Sequence, residues 1–351
     1  MNTDRTHAVP VTVLGTGSYL PERVVTNEDV VARVPNTSAE WIESRTGILQ
    51  RRYAAPDEAA SDLAVHAARA ALDQAGLAPD RLDFVIVSTT TGDAPIPATS
   101  SLVQRALGAH RAACFDINIA CTGFVTALAV ARAFVALRPE TKALVIGTDV
   151  YTRFVDFQDR ATSVLFGDGA GAAVVGALPG ADAGAETGTE RGFLDIELVG
   201  RGDAHELIAM EAGGSRRPAS AETVADGGHL LRMQGRGVKD FVLDNVPGIL
   251  ADLLKRCGHE ASDVHHFVPH QANGRLVTEL AAASGLDGAH THLPLRHSGN
   301  IGSASVPVAL DEANRSGALR DGDLVLLAGF GAGMAVGAGL LRWSAPQGGI
   351  R

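Results

Sequence analysis

Runs of β-branched and apolar residues alternate with longer, Ala-rich stretches of helical periodicity along the chain, and this alternation restricts the fold more than any other feature of the sequence. It indicates an α/β protein, because strands and helices that take turns along a chain pack as layers on a shared core. Residues 11–17, 84–90, 114–120 and 143–149 read as strands, 59–75 and 97–107 as helices, with Ser61 as the candidate cap of the first. The strand at 114–120 runs straight into 124–137, which is apolar almost all round and interrupted mainly by Thr126 and Arg132, so a helix buried on every side is expected. Residues 161–178 supply further strand with a tight glycine turn, and 180–192, a run of Gly, Ala, Asp, Glu and Thr, is the candidate linker. Beyond it come a strand at 193–200, a polar Gly/Arg-rich loop near 201–228, helices at 238–256, 272–283 and 302–313, a strand at 264–270 and a terminal strand pair. The halves, 1–180 and 190–351, match in size and element order, which suggests a duplicated α/β unit.

Composition narrows the function classes. With 351 residues, 46% of them hydrophobic and 20% charged, the chain has ample material for a large core and is not a disordered one. The net charge of -10 argues against a nucleic-acid binder, which needs a basic face. Three cysteines, Cys114, Cys121 and Cys257, are too few for a disulfide framework and fit a reducing cytoplasm. The N-terminal residues carry no apolar secretion signal. The 18 uncharged residues 324–341 include five glycines, each costing about 1 kcal/mol in a helix, so two buried strands around a Gly-rich loop explain them better than a membrane span.

Several constellations bear on chemistry. GTG at 15–17 lacks the third glycine of a dinucleotide fingerprint (Leu20 stands there) and is expected to be a tight turn. Seven histidines fall between His259 and His297, but Pro269 between His266 and His270 breaks any helical ligand pair, and no metal site is expected. Cys121 sits where a strand opens into a helix; the unpaired N–H groups there favour thiolate, while a bland reading makes it a small buried hydrophobe. Cys114 and Cys257 suit the bland reading. His270, at a strand-to-helix junction of the second half, mirrors the cysteine of the first. Asn300 lies in a glycine-flanked loop before a helix, and GFGAG (329–333) offers backbone donors that a substrate can approach closely. A thiol, an imidazole, an amide and a donor loop are the parts thioester chemistry requires.

Taken together, DINIACTGF (116–124), FGDGAGA (166–172), PHQAN (269–273), HSGNIGSASVPVALDEA (297–313) and GFGAG resemble the β-ketoacyl-acyl-carrier-protein synthase III family of the thiolase superfamily, from about Val11 to Trp343. The resemblance implies a five-layered αβαβα fold of two related halves and a cytoplasmic homodimer. It implies that Cys121 takes an acyl group from acyl-CoA, that His270 and Asn300 stabilise the enolate formed when a malonyl thioester loses CO2, and that the N–H groups of Cys121 and Ala332 form the oxyanion hole. It further implies CoA contacts at Thr37, Trp41, Arg45, Arg160 and Asn273, and no cofactor beyond the acyl-CoA and malonyl substrates. The acyl-pocket wall maps to Ile96, reaching across the dimer, and carrier-protein docking to Arg236, Lys239 and Arg275.

Three departures stand out. Ala332 replaces a usual glycine, which a backbone contact tolerates at negative φ. Ile96 replaces a Phe that restricts common bacterial enzymes to short chains, which points to a starter other than acetyl. Ala281 and Ala282 stand where lysines are frequent, which thins the docking patch and points to starter selection in specialised, polyketide-type metabolism rather than housekeeping fatty-acid synthesis. The partner that supplies the extender is a malonyl carrier protein or malonyl-CoA. Two other readings share the fold: transfer of the acyl group to an alcohol or amine, and a catalytically silent scaffold. The amide at Asn300 polarises but cannot deprotonate, which favours carbon–carbon bond formation.

Overall fold

The computed structural model describes residues 9–178 and 191–345. Its frame is two five-stranded sheets. The first holds β1 (Val11–Tyr19), β2 (Phe84–Ser88), β3 (Ala113–Ile117), β4 (Ala143–Val150) and β5 (Asp168–Ala177), in the spatial order β3-β2-β4-β5-β1. The second holds β6 (Gly192–Gly200), β7 (His266–Pro269), β8 (His290–Thr291), β9 (Leu324–Gly331) and β10 (Ala335–Arg342), in the order β8-β7-β9-β10-β6. Counted within each half, both orders are 3-2-4-5-1. In both, the second strand is parallel to the third and fourth, while the fifth is antiparallel to the fourth and first. Matching order and polarity make the halves two copies of one unit. The division expected at 180–190 falls outside the described residues.

Among the described residues, seven helices of eight or more residues accompany the sheets: α1 (Ala39–Thr46), α2 (Ala60–Ala75), α3 (Thr99–Leu107), α4 (Gly123–Leu137), α5 (Gly235–Arg256), α6 (Gly274–Ala283) and α7 (Ser305–Arg315). The strands alternate in period two between the layers they serve. Ile86 and Val145 face α4 and α7 in the middle, while Val85, Val87, Leu144 and Ile146 face α2 and α3 outside. In the second sheet Val325 and Leu327 point to the middle, and Leu324 and Leu326 to α5 and α6. The result is the five-layered αβαβα fold. Residues 120–137 are long and apolar enough to cross a membrane, yet α4 lies in the central layer with Phe124, Val125, Leu128, Ala131 and Val135 fully buried. Both of its faces meet a sheet or α7, which explains the all-round apolar pattern. Residues 324–342 form the antiparallel pair β9–β10 around a short turn.

Some local expectations are corrected. Gly15 and Gly17 lie inside β1, not in a turn. The backbone of α2 crosses β1 so closely that a Cβ on Gly15 would meet Ala71 O and Ala75 N at 2.6 Å. Ser61 does not cap α2: Ala59 holds the N-cap position, its N–H donates to Asp62 (2.8 Å), and the Ser61 hydroxyl donates to Asp93 (2.7 Å). Gly169 and Gly171 are strand residues of β5, so no tight glycine turn interrupts 161–178; the chain between β4 and β5 carries the 3-10 turn Tyr151–Arg153 and the short helix Arg160–Ser163. The loop near 201–228 contains the strand Ile208–Ala209, paired with Arg232–Met233.

Candidate active site

Of the three candidate catalytic side chains, those of Cys121 and His270 follow strand ends, and that of Asn300 follows the short helix Leu295–Ser298. After β3, Ala120 adopts a left-handed φ of 46°, and the turn Ala120–Thr122 delivers Cys121 in front of α4. The end of β9 presses against it: a Cβ on Gly331 would lie 3.2 Å from the Cys121 sulfur. His270 follows β7, its N–H donating to Ala328 O at 2.6 Å and its ring edge-on to Phe330. Asn300 is pinned through its backbone, its N–H donating to Leu165 O and its carbonyl accepting the Gly167 N–H, both at 2.9 Å. Its side-chain Oδ1 accepts the Gly302 N–H at 3.0 Å, which leaves the Nδ2 protons as the amide's outward donors. The topology corrects one pairing. Asn300, between the third strand and middle helix of its half, is the counterpart of Cys121; His270 corresponds to the threonine loop after β2.

Cys121, His270, Asn300 and Ala332 line one cavity of about 610 Å³. Trp41, Arg45, Arg160, Asn273, Lys239 and Arg275 line it too. Arg160 lies 4.6 Å over the Trp41 ring and donates to Asn36 O. Thr37 is not on the wall, but its hydroxyl is buried beside that contact without a hydrogen-bond partner. Asn273 caps α6, accepting the N–H groups of Arg275 and Leu276. Lys239 is paired with Glu279 at 2.6 Å, so the cationic face is partly neutralised. Arg236 is exposed and off the wall. Ile96 is 87% exposed and does not line this chain's own cavity. Ala332 is not a positive-φ residue, so its side chain is accommodated.

The electrostatics reverse one expectation. Burial pushes the Cys121 thiol well above the ordinary range, nearby Asp149 adds to the rise, and a backbone hydrogen bond opposes it only weakly. Desolvation outweighs the helix terminus, so the resting group is a thiol and not a thiolate. Burial also lowers His270 to about 3, so its imidazole is neutral at ordinary pH. Its Nδ1 is buried without a partner, which leaves Nε2 as the nitrogen available to a substrate.

Sequence reasoning missed much of the apolar wall: Ile208 and Met210 sit in a stretch that reads as polar loop, and Leu231 and Met233 lie between that loop and the helix expected at 238–256. It also missed Thr90, Tyr151 and Asp149; the threonines stand in a polar run after β2, but nothing marks the other two. His266 and His270 lie on a strand and the turn after it. His266 bonds His292 (3.1 Å) and Asp323 (3.2 Å) instead.

The model of the 3-oxoacyl-(acyl-carrier-protein) synthase III family matches residues 115–190, and that of its C-terminal part matches 254–343. A β-ketoacyl-(acyl-carrier-protein) synthase III of Symbiobacterium thermophilum is 45% identical over 334 residues, covering 95% of this chain and 98% of its own. The chain belongs to the 3-oxoacyl-(acyl-carrier-protein) synthase III family. As a synthase III family member it is a condensing acyltransferase of thiolase fold. Within the family's reach lies acetoacetyl CoA synthase NphT7 of a Streptomyces species, 43% identical over 331 residues, with 94% of this chain and 98% of that one covered. The priming β-ketosynthase of the R1128 polyketide pathway superposes with a TM-score of 0.87 at 34% identity, covering 99% of this chain and 100% of that chain.

Proposed function

We propose that the chain joins an acyl-CoA to a malonyl thioester by decarboxylative condensation, with Cys121, His270 and Asn300 as the catalytic residues. The observation that carries the reading is the convergence, in one cavity, of a thiol with two neutral donors, an imidazole and an amide. In the first half-reaction the Cys121 sulfur attacks the acyl-CoA carbonyl, the thiol proton passes to the departing CoA sulfur, and an acyl-cysteine remains. The N–H groups of Cys121 and Ala332 receive the negative charge on the carbonyl oxygen. In the second, the malonyl group loses CO2, its electrons move onto the thioester oxygen, and His270 Nε2–H and Asn300 Nδ2–H stabilise the enolate. The carbanion attacks the acyl-cysteine. A β-ketoacyl thioester leaves, and Cys121 takes up a proton. The chemistry needs no cofactor.

Trp41 and Arg160 offer a stacked pair for the flat purine of CoA, and Arg45 a cation for its phosphates, with Thr37 and Asn273 as further polar contacts. Arg236, Lys239 and Arg275 form the face for the extender's handle, a carrier protein or CoA. Ile96 acts on the pocket of a second copy in a cytoplasmic homodimer, which its exposure supports. Family members named as an acetoacetyl CoA synthase and a polyketide priming ketosynthase favour starter selection in specialised metabolism.

The test is intact-mass analysis after incubation with a panel of acyl-CoAs, followed by malonyl-CoA or a malonyl carrier protein. Acylation of Cys121 that disappears with CO2 release and a β-ketoacyl product is expected. An acyl-cysteine that malonyl donors leave intact, but that an alcohol or amine discharges, would replace condensation with simple acyl transfer.

A further inference from the structure

The end of β4 carries a carboxylate that the condensation does not use. Asp149 is fully buried. Its Oδ1 accepts the Thr90 N–H (2.9 Å) and the hydroxyls of Thr91 (2.9 Å), Thr90 (3.1 Å) and Thr89 (3.2 Å). Its Oδ2 accepts the Ser303 N–H and hydroxyl, both at 2.8 Å. One oxygen thus holds the loop after β2 in the first half, and the other holds the turn after Asn300 in the second. Between Ser303 and Asn300 stands Gly302, at a φ of 59°, packed so closely on Asp149 and Tyr151 that a Cβ would overlap both. The Gly302 N–H is the donor that orients the Asn300 amide.

These contacts form one chain, from Asp149 Oδ2 through Ser303 and Gly302 to Asn300 Oδ1, with the Nδ2 protons at its free end. We propose that Asp149 is a positioning residue, anchoring the 300–303 turn and so fixing the direction in which Asn300 donates to the enolate. The inference rests on the enolate-stabilising part given to Asn300 above. Leu165 and Gly167 hold the Asn300 backbone independently, so losing Asp149 releases the turn that directs the amide and leaves the rest of the loop in place. The two half-reactions therefore respond differently. Acylation of Cys121 does not use Asn300, and removing a neighbouring carboxylate relieves the upward pressure on the thiol. Decarboxylation depends on the amide's aim, where a misplacement of about 1 Å costs up to roughly 100-fold.

The test compares Asp149→Asn and the milder Ser303→Ala with the unaltered protein. An Asn keeps the shape but places an NH2 where donors already converge, so one side of the clamp opens. Three measurements are made: the rate of Cys121 acylation by acyl-CoA, CO2 release from malonyl-CoA by pre-acylated protein, and hydrogen exchange of the backbone amides of 300–304. For Asp149→Asn we expect CO2 release to fall at least tenfold, acylation to stay within about threefold, and exchange at 300–304 to quicken while α4 and α7 keep their protection. Ser303→Ala shifts the same quantities less. An equal fall in both half-reactions, or unchanged exchange at 300–304, would overturn the proposal. If the unaltered protein releases no CO2 from malonyl-CoA, the condensing reading fails on its own. Exchange at 300–304 then decides the anchoring role alone, faster exchange supporting it and unchanged exchange refuting it.

Discussion

At Cys121 two effects of opposite sign meet. A helix N-terminus favours negative charge by at most about 2 kcal/mol, whereas taking a thiolate out of water costs more, and the thiol is pushed up. Alkylation of Cys121 by iodoacetamide is therefore expected to keep rising from pH 7 to pH 9, and a plateau near pH 6 would contradict the burial argument. The sequence locates Cys121 by its strand-to-helix junction but cannot weigh burial against the helix end, because the groups that bury it, such as Gly331, come from the other half. Asp149 and Tyr151 are silent for the same reason. GTDVY reads as an ordinary buried strand end until the 300–303 turn is folded against it.

Among the elements, α4 shows most directly how patterning becomes architecture. Its apolar character on every face demands two covering layers, and the sheets and α7 supply them. Leu128→Ala, at a fully buried position of α4, should cost about 2–5 kcal/mol by transfer and cavity effects. Val224→Ala, at an exposed position, should change stability by less than about 0.5 kcal/mol. Urea denaturation of the two variants checks the contrast. Strands and helices with strong periodicity are legible in the sequence to within a few residues. GTG is not, because glycine serves both turns and close backbone crossings, and only the approach of α2 decides between them. The strand at 208–209 escapes notice because two residues carry no period.

For the molecule as a whole, the duplicated 3-2-4-5-1 topology sets the ends of equivalent strands around one cavity, so each half contributes part of the chemistry. Bringing His270 into that interior links stability to pH. Its folded value of about 3 lies below the ordinary 6.5, so the unfolded chain takes up a proton first, and stability is lost as pH falls through that window. The loss approaches about 1.4 kcal/mol per unit. Asp168, raised to about 6 by burial, acts with the opposite sign between pH 6 and 4, so the informative quantity is a difference between variants. His270→Asn should show a shallower fall in urea midpoint between pH 6.5 and 4.5 than the unaltered protein, and parallel curves would contradict the buried neutral imidazole. The five-layered fold was legible through the family motifs and the repeated element order, whereas the pairing of Asn300 with Cys121 by topology emerges only from the strand order. The proposed roles divide the reaction between the halves, the first carrying the acyl group and the second making the nucleophile. The most direct measurement is CO2 release from malonyl-CoA by pre-acylated His270→Ala and Asn300→Ala proteins, with the acyl-cysteine followed by mass. Both variants are expected to acylate Cys121, then to retain the acyl group and release CO2 at least about 100-fold more slowly; CO2 release at the unaltered rate would contradict this division of roles.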